Sequence, residues 1–272
     1  MGRYISQVLG YLHKKIFGYL DDGYIYVFLH LPKTAGTTLK YHFINYIPSE
    51  NLLFLYFAYP PLKNADSVQS LLKWMSDEQK DKIKIIYGHD AYYGIHKFFK
   101  RKVRYVTFFR DPFDIIYSVY NSRLYLYRVN RQKHISPEFY SGGGSFLEFE
   151  DFLEGNGTYH NFMFRYLLTR FGKAYPEITD KWVDEEIEKM LRSLYYIGFT
   201  DTFDKDIKFI SKIFGIPANY FSTNISEANH NTIGSESYVV RDLENVKKNF
   251  LLKNARDYKL YNRAKEIVSE YE

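Results

Sequence analysis

Cysteine is absent from the 272 residues, which excludes a disulfide framework, a thiol nucleophile and any cysteine-ligated zinc or iron–sulfur site. Internal repeats and low-complexity linkers are absent too, so residues 23–272 are expected to form one domain. A dense basic stripe is missing: the net charge of +5 favours an anionic nucleotide and an acidic acceptor, short of what a nucleic-acid binder carries, and nucleic acid is discounted as a partner. No apolar run is long enough to cross a bilayer. Ile5, Val8, Leu9, Leu12, Ile16, Tyr19 and Leu20 recur at helical spacing, but His13, Lys14 and Lys15 interrupt them. Residues 1–22 are therefore expected to form an amphipathic helical extension that packs on the domain, lies on a membrane surface or mediates self-association. No signal peptide is recognisable, so the sequons at Asn156 and Asn224 read as chance matches and a cytoplasmic, bacterial-type enzyme is expected. Met1-Gly2 with Ser6 matches a myristoylation pattern, which matters only in a eukaryotic host.

What is present is apolar substance and loops suited to anions. Hydrophobic residues make up 46%, enough at this length for one sizeable α/β domain without metal or disulfide staples. Tyr24 to Leu39 reads YIYVFLHLPKTAGTTL: a strand, a turn and the start of a helix. Ala35 and Gly36 keep bulk off the backbone, while the first-turn amides of the helix lack internal partners and point outward. Lys33 adds a cation, Thr34, Thr37 and Thr38 add hydroxyls, and the helix dipole favours negative charge at the same place. A phosphate or sulfate completes such a turn. In the nucleotide triphosphatase loop the lysine follows the glycines, with a hydroxyl beside it for magnesium; here the lysine comes first.

Two further strand ends carry chemistry. Lys102 to Tyr120 reads KVRYVTFFRDPFDIIYSVY, a strand, a charged turn and a helix that Asp111 caps and Pro112 opens. Arg110 offers a planar fork of donors for phosphate, and Ser118, about two turns into the helix, a short donor that does not crowd it. Lys82 to Gly94 reads KIKIIYGHDAYYG, a short strand that stops at Gly88-His89, where open α/β sheets place their ligands. An imidazole there titrates near neutrality and is suited to take a proton.

Pro-Lys-Thr-Ala-Gly-Thr-Thr-Leu at 32–39 closely resembles the loop of PAPS-dependent sulfotransferases that grips the 5′-phosphosulfate. Arg110, Pro112 and Ser118 match that family's R-x-P-x(5)-S, and the Gly88-His89 step resembles the one found in carbohydrate (heparan and dermatan 2-O-type) sulfotransferases. The resemblance runs in ordered pieces from Tyr24 to about Tyr261. It implies a three-layer, P-loop-like α/β fold with a central, mostly parallel sheet flanked by helices. PAPS is then the donor and PAP the product, with no metal. Lys33, Thr34, Ala35, Gly36, Thr37 and Thr38 would hold the 5′-phosphate, and Arg110 and Ser118 the 3′-phosphate. His89 would act as base, and Lys33 would offset charge on the leaving oxygen. The acceptor it implies is a glycan or another hydroxyl-bearing small molecule. Unlike the Golgi members, this chain has no transmembrane anchor and no cysteine. Two rivals stand beside this reading: a kinase-like P-loop enzyme, which would need magnesium and ATP, and a protein that binds PAP without turnover.

The remaining segments are less specific. Ser67 to Lys82 is expected to be one surface helix, with Leu71, Leu72 and Met75 on its apolar side. Asn130 to Ser145, NRQKHISPEFYSGGGS, lacks periodicity and reads as a long loop. It is a lid, an acceptor-recognition loop using Arg131 and Lys133, or a surface insertion. His160 to Phe171 is expected to be a helix, with Asn161 and Arg165 on one face as in the N-x-x-x-R-x-L segment of the same sulfotransferases. That pair binds acceptor or decorates the surface. A last strand, turn and helix begin at Tyr195, where Asp204 and Asp206 are expected to enrich the first helical turn and not to hold a metal.

Overall fold

The computed structural model describes residues 22–56, 67–132, 135–155, 159–169, 179–220 and 237–270. Apolar side chains fill both faces of β1 (Ile25–Leu29). Ile25, Val27 and Leu29 point one way and Tyr26 and Phe28 the other, and all five are buried, as expected of a strand covered on both sides. The chain continues through α1 (Gly36–Tyr46), β2 (Leu52–Phe54), α2 (Val68–Trp74), α3 (Asp77–Lys82), β3 (Ile85–Gly88) and β4 (Val103–Phe109). Then follow α4 (Pro112–Arg128), α5 (Phe149–Gly155), α6 (Asp180–Ser193), β5 (Leu194–Phe199), α7 (Phe203–Phe214), α8 (Leu243–Lys253) and α9 (Ala255–Ser269). The five strands form one sheet in the order β2-β3-β1-β4-β5, every neighbouring pair parallel. This is the three-layer α/β architecture expected from the sequence.

The chain groups into two compact units, each built from two stretches of sequence. The first, Met1–Phe109 with Leu167–Thr223, holds the sheet. On one face Tyr26 and Phe28 pack with Leu39 and Phe43 of α1 and Ile207 and Phe214 of α7. On the other, Ile25, Val27 and Leu29 pack with Val68, Leu71 and Leu72 of α2. The second unit, Arg110–Tyr166 with Asn224–Glu272, has an aromatic centre. Phe113 and Tyr120 of α4 meet Phe149 of α5 edge to face, and Phe113 meets Phe250 of α8. Both units contribute to the 23–272 span.

Three segments depart from the sequence reading. Residues 67–82 form two helices: the Ser76 hydroxyl accepts from Gln79 N while the Gln79 side chain accepts from Ser76 N. This capping box starts α3 afresh. Over 160–171 there is no regular α-helix. A helical turn at Phe162–Phe164 is followed by a π-helical turn at Arg165–Thr169, and residues 170–171 lie outside the described residues. The loop at 130–145 is partly ordered by aromatic burial. Pro137–Phe139 is a 3-10 turn, Tyr140 bridges Phe146, and buried Phe139 stacks on Phe152 at 4.6 Å. The extension expected at 1–22 lies outside the described residues except for Asp22. No described helix is long and apolar enough to cross a membrane.

Candidate active site

The loop between β1 and α1 contains two non-glycine residues in the left-handed region, Lys33 at φ 66° and Ala35 at φ 58°. Each costs on the order of 1 kcal/mol or more and persists only where the surroundings impose it. Here the Thr34 hydroxyl, almost fully buried, donates to the Leu31 carbonyl at 2.8 Å and closes the turn. Alternating left-handed residues converge backbone N–H groups into an anion-binding concavity. Thr34 was expected to offer its hydroxyl to phosphate; in the structure that proton is directed at the Leu31 carbonyl. α1 has no side-chain cap and no acid in its first turn, so nothing of its own neutralises the helix N-terminus. Gly36 is required there: a Cβ would lie 1.6 Å from Nε2 of His30. The Tyr87 hydroxyl donates to the Gly36 carbonyl at 2.8 Å.

β3 ends in Gly88 at φ 148°, where a Cβ would strike the Leu55 carbonyl oxygen at 2.1 Å. The chain then turns and presents His89. Nδ1 of His89 lies 3.1 Å from the His30 carbonyl oxygen. Because a carbonyl only accepts, Nδ1 carries the hydrogen, and in the neutral form of the ring the lone pair lies on Nε2. The His30 ring stacks on His89 at 4.2 Å on one side and on Tyr87 at 4.9 Å on the other. Its Nδ1 is 3.1 Å from the Tyr56 hydroxyl. Tyr56 also meets His89 edge to face at 5.1 Å, and the Lys40 ammonium lies 5.1 Å over the Tyr56 ring. Burial pushes the His30 imidazolium well below the usual histidine range, and the neighbouring His89 and Lys40 charges add to the effect. His30 is therefore a neutral ring.

Beside the loop lies a pocket of about 470 Å³ lined by Ala35, Thr38, Phe203, Asp204 and Tyr220, together with the turn around Thr200 and Thr202. That turn is held by Asp206, which accepts from Phe199 N at 2.8 Å, the Tyr196 hydroxyl at 2.8 Å and the Thr202 hydroxyl at 2.9 Å. Asp204 accepts from the Tyr220 hydroxyl. Both acids stand in the first turn of α7, as expected.

The register Leu29↔Gly88 and Leu29↔Thr107 makes β1, β3 and β4 end at one edge of the sheet, so the chain leaves them at His30, His89 and Arg110. His89 is joined to the Lys33–Thr38 loop through His30. Arg110, Ser118, Arg131, Asn161 and Arg165 belong to the second unit. There Asp111 caps α4 as expected, accepting from Phe113 N at 2.9 Å and Asp114 N at 3.2 Å, and Ser118 is half-buried in its second turn. Asn161 turns inward: its Oδ1 accepts from Arg256 N and Asp257 N at the start of α9. Arg131 and Arg165 are exposed, and Lys133 lies outside the described residues. A smaller cleft of about 190 Å³ in this unit is lined by Glu150, Glu154, His160, Asn245 and Lys253. The sequence reading did not single out His30, Tyr56 or Tyr87. Only His30 left a trace, a polar ring following a buried strand.

A model of the Sulfotransferase family matches residues 19–264. No curated protein matches the chain.

Proposed function

The chain belongs to the sulfotransferase family, and from that premise we propose that it takes its sulfuryl group from PAPS and places it on a carbohydrate hydroxyl. The observation that carries this reading is the arrangement of His89. Its Nδ1–H is engaged by the His30 carbonyl, so in the neutral ring Nε2 is the nitrogen that accepts a proton, beside the turn at Lys33–Thr38. The acceptor oxygen attacks sulfur in line, the bond from sulfur to the bridging oxygen of the 5′-phosphate breaks, PAP departs, and the acceptor proton passes to Nε2 of His89.

In this scheme the N–H groups of the Lys33–Thr38 turn and of the first turn of α1 receive the 5′-phosphate. Lys33 offsets charge growing on the bridging oxygen, where fixed electrostatics favour the transition state over the bound substrate. Arg110 and Ser118 take the 3′-phosphate, Arg by its fork of donors. The pocket lined by Phe203, Thr38 and Tyr220 suits the nucleoside end, with ring faces and hydroxyls together. Arg131 and Lys133 are left for the acceptor, together with the exposed Arg165.

Calorimetric titration with PAP, and separately with magnesium-ATP, tests the donor. PAP is expected to bind tightly and ATP weakly, and Arg110→Ala is expected to cost PAP affinity about tenfold or more, the worth of a charge-assisted phosphate contact. ATP preferred over PAP would overturn the reading in favour of a phosphotransferase.

A further inference from the structure

His30 contributes to two halves of this site with two different parts of itself. Its backbone carbonyl fixes Nδ1–H of His89 at 3.1 Å. Its ring, wedged between Tyr87 and His89, fills the space that a side chain at position 36 would need. A hydrogen bond to a carbonyl sets a tautomer only while the ring stays in plane with it. An imidazole rotates about its second side-chain torsion with a broad, nearly two-fold preference, so something must hold the plane. At His89 that something is the parallel face of His30, tilted only 19° from it, with the edge of Tyr56 closing another side at 84°.

We propose that His30 is a positioning residue for His89: its stacked ring holds the His89 imidazole in the plane in which Nδ1–H meets the His30 carbonyl, so that Nε2 is the nitrogen that takes the acceptor proton. This rests on the reading of His89 as the base. The same ring touches Gly36, so the anion loop and the base are set against one spacer, and neither can shift without moving it. The neutrality of His30 fits the role, since a charged neighbour at 4.2 Å would oppose the positive charge His89 acquires with the proton. Tyr56 holds the spacer in turn through its hydroxyl at 3.1 Å from Nδ1 of His30.

The test reads the ring of His89 directly, by long-range proton–nitrogen spectra of protein labelled at histidine, with the His89 signals assigned by their loss in His89→Gln. The native protein is expected to show the Nδ1–H tautomer alone. His30→Ala is expected to show both tautomers in exchange, and His30→Phe, which keeps a flat ring in the same place, to restore the single form. A single Nδ1–H tautomer in His30→Ala would overturn the proposal. Should His30→Ala fail to fold, His30→Leu replaces it: it fills the volume without a plane, and mixed tautomers are expected for Leu and not for Phe. PAP titration of the same proteins separates this outcome from the donor reading. Native protein that fails to bind PAP sinks the sulfotransferase scheme, while PAP bound equally by all variants, with the tautomer unmoved, sinks only the role of His30.

Discussion

Gly36 is where the anion loop and the stacked histidines meet, and it carries the sharpest steric prediction. A methyl group there would sit 1.6 Å from Nε2 of His30, a ring stacked between Tyr87 and His89. Forcing bulk into such a place costs roughly 1–3 kcal/mol. Gly36→Ala should therefore lower the melting temperature and weaken PAP binding together, read by thermal melts and calorimetry; unchanged PAP affinity would show that the loop does not depend on His30. The charged and titrating residues separate by what they affect. If Lys33 offsets charge on the leaving oxygen as proposed, Lys33→Ala should cost kcat on the order of a hundredfold while also loosening PAP. If His89 is the base for the acceptor as proposed, His89→Ala should cost kcat about a hundredfold or more and leave PAP affinity unchanged. Single-turnover transfer from PAPS decides both, and near-normal turnover in either variant removes that residue from the scheme.

At the scale of elements, the parts of the fold legible in the sequence are those whose cause is local. The apolar run along Ile25–Leu29 is a property of the strand, the Asp111-Pro112 start of α4 lies within three residues, and Asp204 and Asp206 act on the turn that contains them. The turn between β1 and α1 was legible for the same reason. What escaped has a distant cause. The stack of His30 on His89 depends on the parallel register of β1 with β3. The irregular 160–169 segment depends on α9: Asp257 accepts from Met163 N at 3.1 Å and from Phe164 N at 2.7 Å, and no local pattern announces that. The break in the 67–82 helix was local and readable, since Ser76 and Gln79 spell a capping box, but the continuous apolar side masked it. Asp257 also yields a pH prediction. Burial raises its carboxyl from the ordinary 3.8 to about 7, against the lowering effect of the backbone N–H groups. The folded protein therefore binds more protons than the unfolded one between these values, and stability falls as pH rises from about 4 to about 7. Asp257→Asn should flatten that slope in thermal melts across the window, while costing about 1–3 kcal/mol throughout because its NH2 group cannot accept from a backbone N–H. An unaltered slope would mean that Asp257 titrates normally.

For the whole molecule, the family match opens at residue 19, close to where the amphipathic extension expected at 1–22 gives way to β1, and it spans both compact units. The family's common substance therefore excludes the first eighteen residues, and those residues have a character of their own. Arg3, Lys14 and Lys15 are their only charged side chains, with no acid among them, alongside apolar residues at helical spacing. Basic charge near an anionic bilayer contributes about 1 kcal/mol per Lys or Arg and fades as salt rises, and a helix of this pattern lies in the interface without crossing it. Deleting residues 1–18 should then leave the melting temperature and PAP affinity unchanged while abolishing co-sedimentation with vesicles containing phosphatidylglycerol, and added salt should release the full-length protein from the same vesicles. The competing expectation, that the segment packs on the domain, makes the opposite prediction: a lowered melting temperature on deletion, with no vesicle binding to lose. If the membrane outcome holds, acceptors presented at a bilayer surface, lipid-linked sugars first among them, gain ground over free oligosaccharides, because an enzyme held at the interface meets its acceptor there at high local concentration.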